Sequence, residues 1–192
     1  MNRFDCRRSV WADDRWQDLL TPVHLRRILE VLDVSRTSGG GTHFKETLVD
    51  AIATVFDVRD VTFFFGRTYP TLFTDPAPLL TGAAEPLLEE YQERWRDKDV
   101  FALPQARRVL ADEGFAMLDD LARLPLPQKS YVEEYLAPHG IGTASAIHLR
   151  FADGEALIGM FDRERYWNAG DIAAMRLLAG HLRASSRSVV IG

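Results

Sequence analysis

Apolar residues recur along this chain at two spacings, and the spacing assigns the elements. Leu25, Ile28, Leu29 and Leu32 follow the i, i+3, i+4, i+7 pattern of an amphipathic helix. Thr21-Pro22 ahead of them supplies an N-cap followed by proline at the first helical position. That helix should close near Ser35, before the SGGG run at 38–41. Thr42 reads as the next N-cap, with Phe44, Leu48, Ala51, Ile52 and Val55 as the buried stripe of a second helix. VTFFF at 61–65 is rich in β-branched and aromatic residues between turn residues and predicts a strand. After Gly66 and Pro70, Leu72-Phe73 opens a second, short strand, and the proline-rich stretch 74–82 is a loop.

A helix over 84–96 carries Leu87, Leu88, Tyr91 and Trp95. Short helices broken by Pro125 and Pro127 fill 112–128, and another helix runs over 130–136. TASAIHLRF at 143–151 and ALIGMF at 156–161 flank Asp153-Gly154, a strong hairpin signal. The last helix begins at Asn168, which forms a capping box with Asp171, and shows Ile172, Met175, Ala179 and Leu182 on its apolar face. The polar first 20 residues read as an arm that lays Trp11 and Trp16 on the body. The order is helix, helix, strand, strand, crossover helices, hairpin, helix. It predicts an α+β fold with a central, mostly antiparallel sheet sandwiched between terminal helices and crossover helices. The expected division is an arm over 1–20, one domain over 21–187 and a tail over 188–192.

Composition narrows the function classes. The 192 residues are 46% hydrophobic and 27% charged, enough for one globular domain with a sizeable core. A net charge of −5 and a pI near 5.5 argue against strong nucleic-acid binding by this chain alone. The single cysteine, Cys6, excludes an intrachain disulfide. With neither a leader-like apolar run nor a span of about 20 apolar residues, a soluble, cytoplasmic protein is expected.

Enzyme signals are poor. There is no G-x-S-x-G, no H-E-x-x-H, and the five histidines lack metal-ligand spacing. GIGTAS at 140–145 lacks the third glycine of a dinucleotide fingerprint and precedes a strand. No catalytic residue, metal or cofactor is expected.

On the strand at 61–65, Phe63 and Phe65 share one face with Val61, while Phe64 shares the other with Thr62. Two readings stand open for these rings: plain core, or the wall of a cavity. Tyr91, Trp95, Phe101, Tyr131 and Tyr135 fall in the crossover region, where Tyr and Trp can pack a ring and still offer a hydrogen bond. His148 and Arg150 share a strand face with Ala144 and Ala146, whose small side chains leave space beside two polar anchors. A structural histidine and an exposed polar edge are the alternatives there. Arg176, Arg183 and Arg187 in the last helix complement its dipole.

Three stretches resemble the GAF-like sensor domain at the front of many LuxR-family transcriptional regulators, a GAF/PAS-like fold. YLAPHGIG at 135–142 looks like the entry to that family's central hairpin. GMFDRERYWNAGDIAAM at 159–175 is similar to its strand, Arg, aromatic, N-cap and helix. LLAGHL at 177–182 looks like its closing leucine-rich helix, with Gly180 where proline is usual. The likeness covers about residues 42–186.

The resemblance implies a ligand-responsive domain, often dimeric, that controls a DNA-binding module. The crossover helices would roof a pocket over the sheet. Phe63, Phe65, Tyr91, Trp95, Phe101, Tyr131, Tyr135, His148 and Arg150 are then the candidate ligand-binding residues. Asp99 matches the lactone-amide acceptor of the acyl-homoserine-lactone branch, but Val100 replaces that branch's proline, and its ligand is not carried over. The family's helix-turn-helix has no room within 183–192, so either the sequence is cut at the domain boundary, with DNA reached only through an output domain outside it, or the domain is a stand-alone sensor. The expected function is small-molecule sensing for transcription regulation, with an unidentified organic ligand and a homodimer. The alternative is a ligand-free dimerisation or interaction module.

Overall fold

The β-branched and aromatic run at 61–65 forms the strand expected of it, β1 (Asp60–Gly66). The computed structural model describes residues 14–121, 125–162 and 167–192. Cys6, Trp11 and the Arg163–Tyr166 part of the family-like stretch at 159–175 lie outside the described residues. β1 belongs to a five-stranded antiparallel sheet of order β2-β1-β5-β4-β3. The others are β2 (Leu79–Leu80), β3 (Phe115–Met117), β4 (Thr143–Arg150) and β5 (Glu155–Asp162). The hairpin β4–β5 turns through Asp153-Gly154 as expected, pairing Thr143 with Asp162 and Arg150 with Glu155.

Strand alternation divides the interior in two. Val61, Phe63, Ile147, Leu149, Ile158 and Met160 face one side. There they pack against α1 (Pro22–Thr37), α2 (Gly41–Phe56) and the last helix, α4 (Ala169–Ser186). Ala144, Ala146 and Leu157 face the other side, under the crossover region. This is the α+β sandwich expected from the element order.

The helix signals at the chain's two ends hold. His24 N–H donates to the Thr21 side chain, and Thr21 N–H donates back to His24 Nδ1 at 3.1 Å. Asp171 N–H donates to Asn168 Oδ1 at 3.0 Å in the expected capping box. Asp171 also meets His24 at 3.6 Å and Arg27 at 3.8 Å, which fastens α4 to α1. Trp16, in a 3-10 segment (Asp14–Leu19), borders a recess on α4 with Leu177 and His181. The residues expected to form a free tail are tied in. Ile191 is buried, and its N–H and that of Gly192 donate to the Asp153 carboxylate.

Several elements differ from expectation. α1 buries Ile28, Val31, Leu32 and Ser35, so its inward stripe is rotated and Leu25 and Leu29 are exposed. Gly40, not Thr42, caps α2. Leu72-Phe73 is no strand: Pro70 starts a helical turn (Tyr69–Leu72) under a Thr68–Thr71 capping box. The second strand is instead Leu79–Leu80, inside the expected loop. Only two residues long, it leaves β1 under-paired, and side chains complete the edge: Val61 N–H donates to Thr81 Oγ1 and Phe65 N–H to Asp75 Oδ2. α3 (Pro104–Glu113) lies mostly in a stretch with no expected element, and β3 falls within 112–128, expected to hold only broken short helices. The apolar face of α4 is covered by its own domain, with Met175, Leu178, Ala179 and Leu182 buried. Its arginines do more than complement its dipole, because Arg183 donates to the backbone carbonyls of Ala111 and Asp112 at the end of α3.

Gly159 of β5 sits between Thr62 and Ala146 on the crossover side. A Cβ there would lie 2.6 Å from Thr62 Oγ1 and 3.0 Å from the Phe161 ring. Gly159→Ala should therefore lower stability in urea unfolding by roughly 1–3 kcal/mol, and adding Thr62→Ala should recover part of that loss. A neutral Gly159→Ala would show that this face is looser than described.

Candidate functional site

The crossover region forms a roof of two irregular helices. The first spans 82–98 and passes from 3-10 (Gly82–Leu87) through an α turn (Leu88–Glu90) into a π segment (Tyr91–Trp95) and a 3-10 end (Arg96–Lys98). The second spans 126–136 and passes from α (Leu126–Ser130) into π (Tyr131–Leu136). Each π segment therefore carries two rings four residues apart, Tyr91 with Trp95 and Tyr131 with Tyr135. Wider π turns re-aim side chains relative to a regular helix, and here the four rings interlock. Trp95 stacks on Tyr135 at 5.6 Å between centroids, and Tyr131 lies 5.4 Å from Tyr135. Tyr91 reaches down to Phe64 of β1, 5.7 Å away.

A cavity remains beneath this roof. Its floor is Thr62, Phe64 and Phe161, its ceiling Tyr91, Tyr131 and Tyr135, and Leu136 and Ile141 help to close its side. Its free volume is about 50 Å³. That exceeds the ~10–15 Å³ needed for one water. The lining is predominantly apolar.

Asp60 and Asp99 are the buried acids of this lining, and Asp99 is the one that the roof tyrosine Tyr91 reaches. Asp99 N-caps the turn Val100–Ala102, accepting Phe101 N–H at Oδ1 (2.8 Å), and Tyr91 hydroxyl donates to Oδ2 (2.9 Å). The Tyr131 hydroxyl lies near enough to favour its ionised form as well. Burial pushes the Asp99 carboxyl up to about 6, only partly offset by these three groups. Burial, followed by the Asp99 charge, pushes the Tyr91 and Tyr131 phenols up. Tyr135 hydroxyl is fixed differently, donating to the Leu87 carbonyl at 3.1 Å.

Of the nine candidate residues, Tyr91, Tyr131 and Tyr135 line the cavity together. Trp95 and Phe101 are buried in the roof behind them: Trp95 braces Tyr135, and Phe101 contributes its backbone N–H. Phe63 and Phe65 do not reach the cavity, because strand parity turns them toward the α1–α2–α4 layer. Phe64, of the opposite parity, lines it instead.

His148 and Arg150 are also misplaced for this role. His148 pairs with Leu157 in the sheet, four residues along β5 from Phe161 and so roughly 13 Å away at ~3.3 Å per residue. It is held by Glu155 at 2.7 Å and packs edge-on against Tyr69, which is the structural reading. Arg150 is exposed at the end of β4. Residues missed from the candidate set include Asp60, Thr62, Phe64, Asp99, Ile141 and Phe161. Alternation marks Thr62 and Phe64, and the family likeness marks Asp99. The others carry no local signal.

Among the described residues, no three His, Cys, Asp or Glu side chains group as metal ligands, and no helix is long and apolar enough to cross a membrane.

Solved structures share this fold. The ligand-binding domain of VqsR from Pseudomonas aeruginosa superposes with a TM-score of 0.53 and 19% identity, over 90% of this chain and 94% of that one. CepR2 from Burkholderia cenocepacia, an N-acylhomoserine lactone dependent LuxR-family transcription factor, does so with a TM-score of 0.53 and 12% identity, over 85% and 93%. No family model matches the sequence, and no curated protein matches it. The chain thus has the fold of the ligand-binding domains of LuxR-family regulators, as the resemblance in its sequence implied.

The buried Asp99 makes a pH-dependent contribution. Its folded carboxyl binds protons more tightly than the unfolded one (about 6 against 3.8), so it stabilises the fold most in acid. That contribution fades as pH rises from about 4 to about 6. The stability difference between wild type and Asp99→Asn should shift against wild type by up to about 3 kcal/mol over this window, at ~1.4 kcal/mol per pH unit. Urea unfolding of both chains from pH 4 to 7 measures it. Parallel curves would mean that Asp99 is hydrated rather than buried.

Proposed function

We propose that this domain is a small-molecule sensor that regulates transcription, with its ligand in the cavity beneath the tyrosine roof. The observation that carries this reading is a buried carboxylate, Asp99, already hydrogen-bonded to the tyrosine roof of a predominantly apolar cavity. A ligand suited to it is compact and largely apolar, with one N–H or O–H donor for Asp99 and an acceptor for a tyrosine hydroxyl. A donor to Asp99 favours its ionised form, so such a ligand should bind more tightly above pH 6 than below it. Drug-sized ligands occupy pockets of roughly 300–1,000 Å³. A guest of that size requires the roof helices to move outward from the sheet.

The roof is linked to the terminal helices, which supports transmission of such a movement. Arg176 of α4 holds Asp120 at 3.1 Å and pairs with Glu113, while Arg183 holds the end of α3. Gly114, with φ +78°, lets Arg183 pass: a Cβ there would meet its Cδ at 2.5 Å. Guest binding would then shift the population of two roof positions, and α4 would report it. DNA contact would belong to a separate output module.

A thermal-shift screen of compact apolar amides and lactones tests the reading. A true ligand at about 100 times its Kd should add about 2.7 kcal/mol to stability. Asp99→Asn and the cavity-filling Ala84→Leu should both reduce the shift while the domain stays folded. If no compound raises the melting temperature, the ligand-free interaction module replaces the sensor.

For the homodimer we propose α1 as the contact, because Leu29 (66% exposed), Val23 and Leu25 are uncovered there and the face of α4 is not. Sedimentation velocity should give a dimer that Leu29→Glu converts to monomer. A monomer at all concentrations would remove the dimer from this account.

A further inference from the structure

Away from the cavity, four arginines converge on one open groove of about 760 Å³. Arg96 comes from the end of the first roof helix, Arg107 and Arg108 from α3, and Arg150 from the end of β4. All four are exposed. Asp97 is the one acid in the lining, and its carboxylate lies 3.6 Å from Arg96. Among the described residues, no carboxylate comes within ion-pair distance of Arg107, Arg108 or Arg150. The nearest acid by register, Glu155 opposite Arg150, is engaged by His148 at 2.7 Å. In a chain of net charge −5, this groove inverts the sign of the local field.

The groove is also built rather than incidental. The Arg107 guanidinium lies over the Tyr69 ring, 5.4 Å from its centroid, and Tyr69 hydroxyl is anchored on the Phe101 carbonyl at 2.5 Å. α3 starts at the groove wall with Pro104 and no side-chain cap, so its positive end adds to the same field. Behind the groove the positive charge continues: the Arg183 guanidinium is pushed down by burial and then by the charges of Arg150 and Arg187. Arg107 is thus held in place by packing, and neither it nor Arg108 or Arg150 has an acid to neutralise it among the described residues.

We propose that this groove binds a compact polyanion bearing two or more phosphate groups. Guanidinium forks match phosphate oxygens in pairs. Positive groups on three separate elements call for more than one phosphate, since one anion spans fewer of them. The volume lies within the range that takes a nucleotide, and Phe73 and Pro104 offer apolar surface beside the arginines. The site is distinct from the cavity and does not depend on the sensor reading.

The test is calorimetric titration of the full chain with inorganic pyrophosphate and, separately, ATP, at matched ionic strength. Saturable one-to-one binding is expected. The Arg107→Gln/Arg150→Gln pair should weaken it about 10- to 100-fold, and Arg108→Gln alone should weaken it less. Arg26→Gln on the exposed side of α1 should leave it unchanged. Tighter binding of ATP than of pyrophosphate identifies a nucleotide as the source; equal binding identifies an oligophosphate. Both sustain the proposal. No saturable heat with either probe, or an equal loss in Arg26→Gln, overturns it.

Discussion

A sheet buried on both faces needs two covers, and this requirement organises the whole chain. Val61, Phe63, Ile158 and Met160 on one face are closed by three long helices drawn from the two ends of the sequence. The opposite face is shallower in its middle, because Ala144, Ala146 and Gly159 stand side by side there. Small floor residues require large ceiling residues to reach interior packing density. Tyr91, Trp95, Tyr131 and Tyr135 meet most of that need. Rings on short helices cannot follow the floor everywhere, and the cavity is what they leave.

The same rings are pinned by charge. A carboxylate under an aromatic roof loses its hydration and is tolerated only with hydrogen-bond donors around it. Asp99 obtains them from the Phe101 backbone and from Tyr91, with the Tyr131 hydroxyl close by. Removing any one would leave the others around a poorly solvated charge, so these three groups and the acid hold the two roof helices in one mutual arrangement. The π turns fit this picture. Ala137 N–H donates to the Val132 carbonyl, five residues back, and this widening brings Tyr131 and Tyr135 to the same cavity. Under the proposed function, ligand anchoring would draw on the same cluster as roof architecture.

What is legible in the sequence has local causes. Thr21-Pro22, Asn168 with Asp171 and Asp153-Gly154 each act within four residues, and each produces the element expected. Parity along 61–65 is equally legible, but only as two sets of residues. Which set meets the roof depends on where the terminal helices dock, so the sequence points to Phe63 and Phe65 where the cavity takes Phe64. β2 and β3, two and three residues long, carry no period at all; β1 and β4 define them by pairing. The phase of α1 escapes the sequence for a similar reason. Leu25 and Leu29 fit a helical stripe as well as Val31 and Ser35 do, and the docking of α2 and α4 decides between them.

The paired sheet also constrains how anything felt by the roof could reach α4. β1, β5 and β4 are bonded along their full lengths, from Asp60–Phe161 to Arg150–Glu155, and such a sheet resists bending far more than its covers do. Displacement of the roof is therefore poorly transmitted through the strands. The softer route runs around the β3 edge, where three paired residues separate α3 from α4 and arginines bridge them. Arg183 ends on backbone carbonyls at the C-terminus of α3, and Arg176 ends on carboxylates of Glu113 and Asp120 on either side of β3. A rigid connection at both points makes α4 follow α3 as a body. The roof is joined to α3 through the turn that Asp99 itself caps, since Val100–Ala102 leads through Leu103 into Pro104. Asp99 is thus one short turn away from the helix that α4 grips.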